Sequence, residues 1–220
     1  MCLIFVGTQI IKHNLGGLSS NSCFGQECFT ADNGPEGAIP HQGFSGPWRG
    51  SYFTGLEGSL RVPFLIRWPG KIPAKHVSNE IVHEMDLFAT FVRIAGGKLP
   101  DDRVIDSVDQ LDFLTGKKEQ SNRESVIVYV GKELYGVKWR DWKMMVKEIN
   151  TISADPVRSY GVPLFYNLLL DPKEEYPVLN APPNFWVRYP AGQVLVDHAK
   201  SLQEEPPIPP GTPDPYKPSR

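Results

Sequence analysis

The middle of the chain contains a short apolar run with clear boundaries. Leu60–Gly70 predicts a buried β-strand that is entered after Pro63 and stopped by Pro69-Gly70. Val77–Val82 predicts a further extended segment. Both segments precede the most regular helical pattern in the sequence.

That helical pattern occupies Leu87–Ala95, where apolar side chains recur at the spacing of one helix face. Asp86 is predicted to cap the N-terminus, because a carboxylate at that position accepts hydrogen bonds from free backbone N–H groups. Gly96-Gly97 supplies the expected C-terminal stop. We therefore expect one amphipathic helix directly after the extended segment.

The pattern changes beyond residue 118 to short runs of β-forming residues. Polar or glycine-containing breaks separate the first three runs, which predicts an antiparallel meander of about four strands. The runs are Ser125–Val130, Leu134–Trp139, Trp142–Lys147 and Leu164–Leu169. Ala191–Glu204 predicts an amphipathic helix that covers one face of this small sheet. Its expected apolar face comprises Val194, Leu195, Val196, Ala199 and Leu202.

The remaining stretches suggest how the chain is divided. Residues 34–61 are rich in glycine and aromatic residues, which predicts a long ordered loop whose backbone closely approaches another group. Residues 1–28 sustain no regular period, and the proline-rich residues 206–220 predict an extended tail. The predicted segments are 1–28, 29–118, 119–205 and 206–220.

Composition and charge argue against some classes of partner. With 40% hydrophobic and 22% charged residues, the 220-residue chain can bury one or two cores. A net charge of -2 gives no sign of a nucleic acid or an anionic membrane as partner. No run approaches the ~18 apolar residues that a membrane span needs. Residues 1–7 lack the basic region of a secretion signal, and the sequence leaves the compartment open.

The three cysteines are interpreted as ordinary thiols. They are Cys2, Cys23 and Cys28, and an odd number without a pattern argues against a disulfide framework. Cys23 and Cys28 could form half of a zinc site, but no second pair or suitable histidine follows.

Asp32-Asn33 is the candidate metal-binding pair of the chain. It follows a short apolar run, and Gly34-Pro35 then turns the chain sharply. A carboxylate beside a carboxamide offers two hard oxygens, which Ca²⁺ or Mg²⁺ prefers. Ligands in open α/β sheets bind beyond the carboxyl ends of strands, which is where this pair is expected. Taken alone, Asp32-Asn33-Gly34 is better explained as turn chemistry, because such triplets are common in loops.

Several segments that follow this pair, in order, resemble the C-terminal half of the sulfatases, closest to bacterial arylsulfatase-like enzymes. No single segment is persuasive, but the ordered series is highly specific and extends from residue 29 to the end. The matching segments are Phe29–Gly34, Gly46–Gly50, Glu57–Pro63, Ile66–Ala74, Glu84–Phe88, Asp102–Asp106, Leu114–Gly116 and Val137–Lys143.

The resemblance implies an α/β fold, namely the C-terminal part of an alkaline-phosphatase-like sulfatase fold with a small subdomain of about four antiparallel strands and a helix. It implies hydrolysis of small-molecule sulfate esters with a divalent metal, usually Ca²⁺. An adjacent Asp-Asn pair supplies metal ligands in the family, so the resemblance makes Asp32 and Asn33 ligands here. Two further acidic ligands come from the N-terminal half of the family's enzymes.

The resemblance also raises the question of what binds the sulfate group. Many members carry a sulfate-binding lysine in the glycine-rich loop, where this chain has Tyr52. A tyrosine donates one hydrogen bond but carries no charge at neutral pH. The nearest cationic candidates are His41 and Arg49, although each also fits a structural role.

The family nucleophile, a Cys or Ser that is converted to formylglycine in Cys/Ser-x-Pro-x-Arg, is predicted to be absent. None of the three cysteines begins that motif, and Tyr216-Lys217-Pro218-Ser219-Arg220 has tyrosine in the nucleophile position. We therefore expect a truncated sulfatase that is inactive alone.

Two alternatives remain open at this point. The chain could be a non-catalytic fragment that acts as an interaction surface, or a phosphodiesterase or phosphatase of the same superfamily. A truncated chain would contain only half of a parallel sheet and would expose apolar surface and strand edges, so we expect self-association through the exposed core.

Overall fold

Two four-stranded sheets organise the part of the chain that the computed structural model describes, which comprises residues 2–4, 27–37, 43–151, 155–178 and 182–213. One sheet precedes residue 118 and the other follows it. The arrangement confirms the expected mixture of an α/β part and a small antiparallel part. The predicted boundary near residue 118 and the four-segment division stay predictions.

The first sheet is mixed. Its strands are β1 (Cys2–Ile4), β2 (Glu27–Thr30), β3 (Val62–Arg67) and β4 (Ile81–Val82), in the order β2-β3-β1-β4. Only β1 and β3 are parallel, whereas β2 pairs antiparallel with β3 and β4 antiparallel with β1. The expectation of a parallel sheet is therefore wrong for these strands.

Strand β3 carries the core of this first part. Val62, Phe64 and Ile66 are buried, whereas Pro63 between them is exposed. This alternation is what a strand with one buried face produces. The strand begins one residue before Pro63 rather than after it, because proline is tolerated near the start of a strand. Val82 in β4 completes the cluster together with Phe113 and Leu114 from a later helical turn.

In the part of the chain that the structure describes, three helices accompany the first sheet. The helix expected after the extended segment is α2 (Asp86–Ile94), and it is confirmed. A single turn, α1 (Glu57–Leu60), interrupts the stretch that was predicted to be a loop throughout. Another single turn, α3 (Leu111–Leu114), lies in the mostly polar segment that follows α2. Both turns are too short for a periodic signal, and α3 exists because it buries Phe113 and Leu114 against β3.

The predicted role of Asp86 as N-cap is wrong. Asp86 is the first residue of α2, and its buried carboxylate pairs with the Arg123 guanidinium, with the closest atoms 2.5 Å apart. The carboxylate also accepts hydrogen bonds from the backbone N–H groups of His83 and Val108. Asp86 therefore connects the start of α2 to distant segments.

The second sheet is the predicted antiparallel meander. Its strands β5 (Ser125–Val130), β6 (Glu133–Trp139), β7 (Trp142–Glu148) and β8 (Arg158–Asn167) pair in chain order. Strand β8 begins six residues before the predicted run, across a Gly161 and a Pro163 that obscured the pattern. It ends at Asn167, because the Asn167 side chain accepts backbone hydrogen bonds from Leu169 and Leu170 and turns the chain.

The C-terminal helix covers this sheet as expected. A 3₁₀ helix (Pro182–Val187) leads into α4 (Arg188–Glu204), which begins three residues earlier than predicted. Pro190 fits the first turn, where a backbone N–H has no helical partner anyway. Val194 and Leu195 pack against the sheet together with Ala191, but Val196 and Leu202 are exposed, so the predicted apolar face was too wide.

No helix in the described ranges is both long enough and apolar enough to cross a bilayer. Residues 206–213 contain no helix or strand. The rest of the predicted tail, 214–220, and residues 5–26 of the unmatched N-terminal segment lie outside the described residues.

Candidate metal and substrate site

Asp32 and Asn33 form a bend one residue beyond the end of β2. Asp32 is exposed, and its carboxylate makes no hydrogen bond or ion pair with the described residues. Asn33 is half-buried beside it. The two side chains that were predicted to bind a metal therefore adjoin each other at the end of a strand, with the carboxylate uncommitted.

Backbone hydrogen bonds fix this bend against the glycine-rich loop. Gly34 N–H donates to the Ser59 carbonyl at 2.8 Å, and Tyr52 N–H donates to the Pro35 carbonyl at 2.9 Å. A Cβ atom on Gly34 would lie 1.9 Å from the Gly58 carbonyl oxygen. The loop approaches so closely that only glycine fits, as its composition predicted.

A cavity of about 290 Å³ adjoins the bend. Asn33, Phe44, Trp48 and Arg61 are among the residues that line it. The Arg61 guanidinium lies 4.8 Å from the centre of the Trp48 ring, which suits a cation–π contact. Among the described residues that line the cavity, Arg61 is the one basic side chain, and no motif in the sequence pointed to it.

The three predicted substrate-binding residues have different surroundings. Tyr52 adjoins the bend through its backbone, is half-buried, and its ring packs edge-on against Phe53. Arg49 instead reaches the small sheet, where its guanidinium donates to a Glu148 carboxylate oxygen at 3.0 Å and to the Glu174 carbonyl at 2.6 Å. His41 lies outside the described residues. The Tyr52 backbone is therefore bonded two residues beyond Asn33, at Pro35, whereas the Arg49 side chain is engaged elsewhere.

The predicted absence of the nucleophile pattern overlooked one pentapeptide. Ser45-Gly46-Pro47-Trp48-Arg49 fits Ser-x-Pro-x-Arg by its letters. The Ser45 hydroxyl donates to the Trp48 carbonyl at 2.7 Å and lies 3.4 Å from the Gly50 carbonyl, so it closes a local turn. Because Arg49 is committed to the small sheet, this match has the geometry of a structural turn. Tyr216–Arg220 lies outside the described residues.

A buried network of charges lies behind the loop. Glu57 in α1 pairs with Arg61, with Lys138 at 2.7 Å and with Lys143 at 3.2 Å. Burial opposes ionisation of Glu57, but Lys138, Lys143 and Arg61 outweigh it and lower the pKa of Glu57 below its usual range. Glu57 is therefore a buried carboxylate that cations of two strands hold in its charged form.

Glu174, which lies 117 residues after Glu57 in the sequence, completes the network. Its carboxylate accepts a hydrogen bond from Glu57 N–H at 2.6 Å, and its other oxygen forms an ion pair with Lys143 Nζ at 2.8 Å. Burial raises the pKa of Glu174, with Lys143 opposing that effect. No local sequence pattern links Glu57 to Lys138, Lys143 and Glu174, because these residues lie 81, 86 and 117 positions from it.

Two other titratable groups are structural. His83 accepts a hydrogen bond from Met85 N–H at Nδ1, and burial, aided by Arg123, lowers the pKa of His83 to about 4. Cys28 is a free thiol whose pKa burial and Glu84 raise to about 11. Cys23, and the side chain of Cys2, lie outside the described residues.

The donors at the bend fit part of a calcium site. The Asp32 carboxylate is uncommitted and Asn33 lines the adjoining cavity, and both supply the hard oxygens that Ca²⁺ prefers. Within the described ranges, however, no cluster of three or more His, Cys, Asp or Glu side chains could hold a metal ion. Six to eight oxygens surround a typical bound Ca²⁺. The pair therefore suits a site that other oxygens complete.

Together, a mixed sheet joined to a four-stranded antiparallel sheet with a C-terminal helix defines the C-terminal part of an alkaline-phosphatase-like fold. A sequence model of the family described as N-sulphoglucosamine sulphohydrolase, C-terminal, matches residues 53–182. The chain belongs to this sulfatase family and corresponds to its C-terminal portion.

Individual relatives agree with this assignment. The chain is 31% identical over 211 residues to human steryl-sulfatase, and the match covers 81% of this chain and 36% of that protein. It is 29% identical over 208 residues to human arylsulfatase D, covering 81% of this chain and 35% of the relative. The crystal structure of PsFucS1 sulfatase from Pseudoalteromonas sp. superposes with a TM-score of 0.75 at 28% identity, covering 84% of this chain and 38% of that one. The chain thus spans little more than a third of the length of the relatives it matches.

Proposed function

We propose that this chain supplies the Asp-Asn metal ligands and part of the substrate loop of a sulfatase that hydrolyses sulfate esters of the arylsulfatase type. The observation that carries the proposal is the bend at Asp32-Asn33. Its uncommitted carboxylate adjoins a glycine-rich loop that is held to it by the Gly34 and Tyr52 backbone hydrogen bonds. Family membership supports the same reaction class.

The residues at the bend and in the cavity divide into metal ligands and substrate contacts in this proposal. Asp32 and Asn33 would hold Ca²⁺, which when bound polarises sulfate oxygens and stabilises the charge that develops on them. Tyr52 stands in the position of the family's sulfate-binding lysine and offers one neutral donor. Arg61 lines the cavity beside Asn33, and although its Nε atom pairs with Glu57, its guanidinium is the positive group there that would face an anionic small-molecule substrate.

A calcium titration tests the metal assignment. With only two protein oxygens of this pair, we expect a dissociation constant of about 10⁻⁴–10⁻³ M. The Asn33 side-chain amide resonances should shift on addition of Ca²⁺, and Asp32→Ala should abolish the shift. Asp101→Ala, which removes another exposed carboxylate, should leave it unchanged. An unaltered titration in Asp32→Ala contradicts the assignment.

Turnover tests the predicted inactivity of the isolated chain. The one segment that matches the nucleophile motif, Ser45–Arg49, forms a structural turn. We therefore expect no hydrolysis of 4-nitrophenyl sulfate with or without Ca²⁺. Turnover above the buffer rate that is lost in Ser45→Ala would show that this interpretation of Ser45 is wrong.

Self-association of the isolated chain is a companion proposal. Phe29, Phe88 and Phe91 expose 41%, 50% and 45% of their surface in the first part of the chain, and exposed aromatic surface favours association. Sedimentation velocity should show species larger than a monomer as concentration rises, and Phe91→Gln should reduce them. A concentration-independent monomer contradicts this expectation.

A further inference from the structure

We infer that Glu174 is a positioning residue for the metal-binding bend, an inference that rests on the function proposed above. Glu174 belongs to the segment after β8, in the small C-terminal part, whereas Asp32 and Asn33 follow β2 in the first part. Two separate polar connections run from Glu174 to the loop that holds the bend.

The first connection passes through α1. The Glu174 carboxylate accepts the hydrogen bond from Glu57 N–H at 2.6 Å, which satisfies a backbone donor at the start of this one-turn helix. Lys143 lies between the two carboxylates, 3.2 Å from Glu57 and 2.8 Å from Glu174. Because Lys143, Glu57 and Glu174 have no exposed surface, each charge depends on the others for compensation.

The second connection passes through Arg49. Its guanidinium donates to the Glu174 carbonyl at 2.6 Å and to Glu148 at 3.0 Å. The Arg49 carbonyl in turn accepts a hydrogen bond from Gly58 N–H at 2.7 Å, inside α1. Both connections therefore join helix α1 to Glu174 in the small C-terminal part.

The backbone of Glu174 indicates that its position is strongly determined. It has a φ of 56°, in the left-handed region that non-glycine residues rarely adopt. Such a conformation persists only when its surroundings impose it. Here the surroundings are the Arg49 and Lys143 side chains, the Glu57 N–H, and the Asp171 carbonyl, which accepts the Glu174 N–H at 3.2 Å.

Helix α1 is in turn hydrogen-bonded to the metal-binding bend. The Ser59 carbonyl in α1 accepts the Gly34 N–H, directly after Asn33, and the Gly58 carbonyl contacts Gly34 closely. A displacement of α1 therefore displaces the bend. The small C-terminal part thus sets the spacing of the Asp32 and Asn33 oxygens without contributing a ligand.

Amide hydrogen exchange with Glu174→Gln tests this role. Glutamine keeps the shape but replaces the carboxylate beside Lys143 with a neutral amide. Loss of a charge-assisted contact should speed exchange of the Gly34 and Gly58 amides about tenfold. Exchange of the Leu168 amide, bonded to the Asp141 carbonyl within the small part, should change by less than about threefold. Glu175→Gln, the exposed neighbour, is the matched control and should alter none of them.

The pattern of exchange separates positioning from general stabilisation. Selective acceleration at Gly34 and Gly58 supports the inference, whereas uniform acceleration at all three amides, or none, overturns it. If Glu174→Gln does not fold, Arg49→Lys, which removes the guanidinium that bridges the Glu174 carbonyl and Glu148, is judged by the same criterion.

Calcium affinity supplies the second readout. Glu174→Gln should raise the calcium dissociation constant by about threefold or more, because a less ordered bend binds less well. An unchanged constant overturns the inference. If wild type shows no calcium binding that depends on Asp32, the proposed function fails, and exchange at Gly34 still decides whether Glu174 positions the bend.

Discussion

Removal of the Lys143 ammonium should destabilise the fold strongly, because Lys143 lies between two buried carboxylates. Lys143→Met keeps most of the side-chain volume but leaves the Glu57 and Glu174 carboxylates with one fewer buried cation. Breaking a buried ion pair in this way typically costs about 3–5 kcal/mol. We expect a loss near the lower end, about 3 kcal/mol, because Lys138 and Arg61 still compensate Glu57.

The matched control lies on the same strand. Lys147 pairs with Glu133 at 2.9 Å, but both side chains are partly exposed, so Lys147→Met should cost only about 0–1 kcal/mol. Urea unfolding followed by tryptophan fluorescence measures both losses. If Lys143→Met destabilises the chain no more than Lys147→Met does, the account of the buried network is wrong.

The pH dependence of the same variant provides an internal check. Burial already raises the pKa of Glu174, and without Lys143 that pKa rises further. Since a proton removes the uncompensated charge, the stability difference between wild type and Lys143→Met should shrink as the pH falls. A difference that grows on acidification contradicts this explanation.

Three further predictions concern single residues. The pKa of His83 is lowered from its ordinary value of 6.5 to about 4 in the folded chain, so between pH 6.5 and pH 4 the unfolded chain binds one more proton than the folded chain. The free energy of unfolding should therefore fall as the pH drops through that window, and it should fall less in His83→Gln. The Cys28 thiol, with its pKa raised to about 11, should react with iodoacetamide at pH 8 more slowly than a free cysteine, as peptide mass spectrometry would show. Gly192→Ala in α4, where an added Cβ meets no atom within 4 Å, should stabilise the chain by about 0.5–1 kcal/mol in thermal melts.

The local elements could be predicted because their signals are contained within a few residues. Strand β3, helix α2 and the meander each follow from a repeated apolar spacing that survives in the structure. The single turns α1 and α3 gave no such signal. They are stabilised by tertiary contacts, α1 through Glu57 and α3 through Phe113, which a window of neighbouring residues does not contain.

The candidate site was predictable only in part, for the same reason. Asp32 and Asn33 are adjacent in sequence and form a recognisable pair, so their nearness in space required no long-range information. Arg49 was considered as a substrate ligand because it is close in sequence to Tyr52. Its partners Glu148 and Glu174 lie 99 and 125 residues away, and nothing in the sequence links them to it.

Anomalous X-ray diffraction from crystals of the chain grown with Mn²⁺ or soaked in Ca²⁺ tests the central claim most directly. The account predicts a metal peak within about 2.3–2.6 Å of one Asp32 carboxylate oxygen and the Asn33 amide oxygen for Ca²⁺, with water filling the remaining positions. The peak should be absent from crystals of Asp32→Ala. A metal bound elsewhere, or Asp32 and Asn33 oxygens that do not share a metal at saturating concentration, would contradict the assignment of this bend as part of a sulfatase metal site.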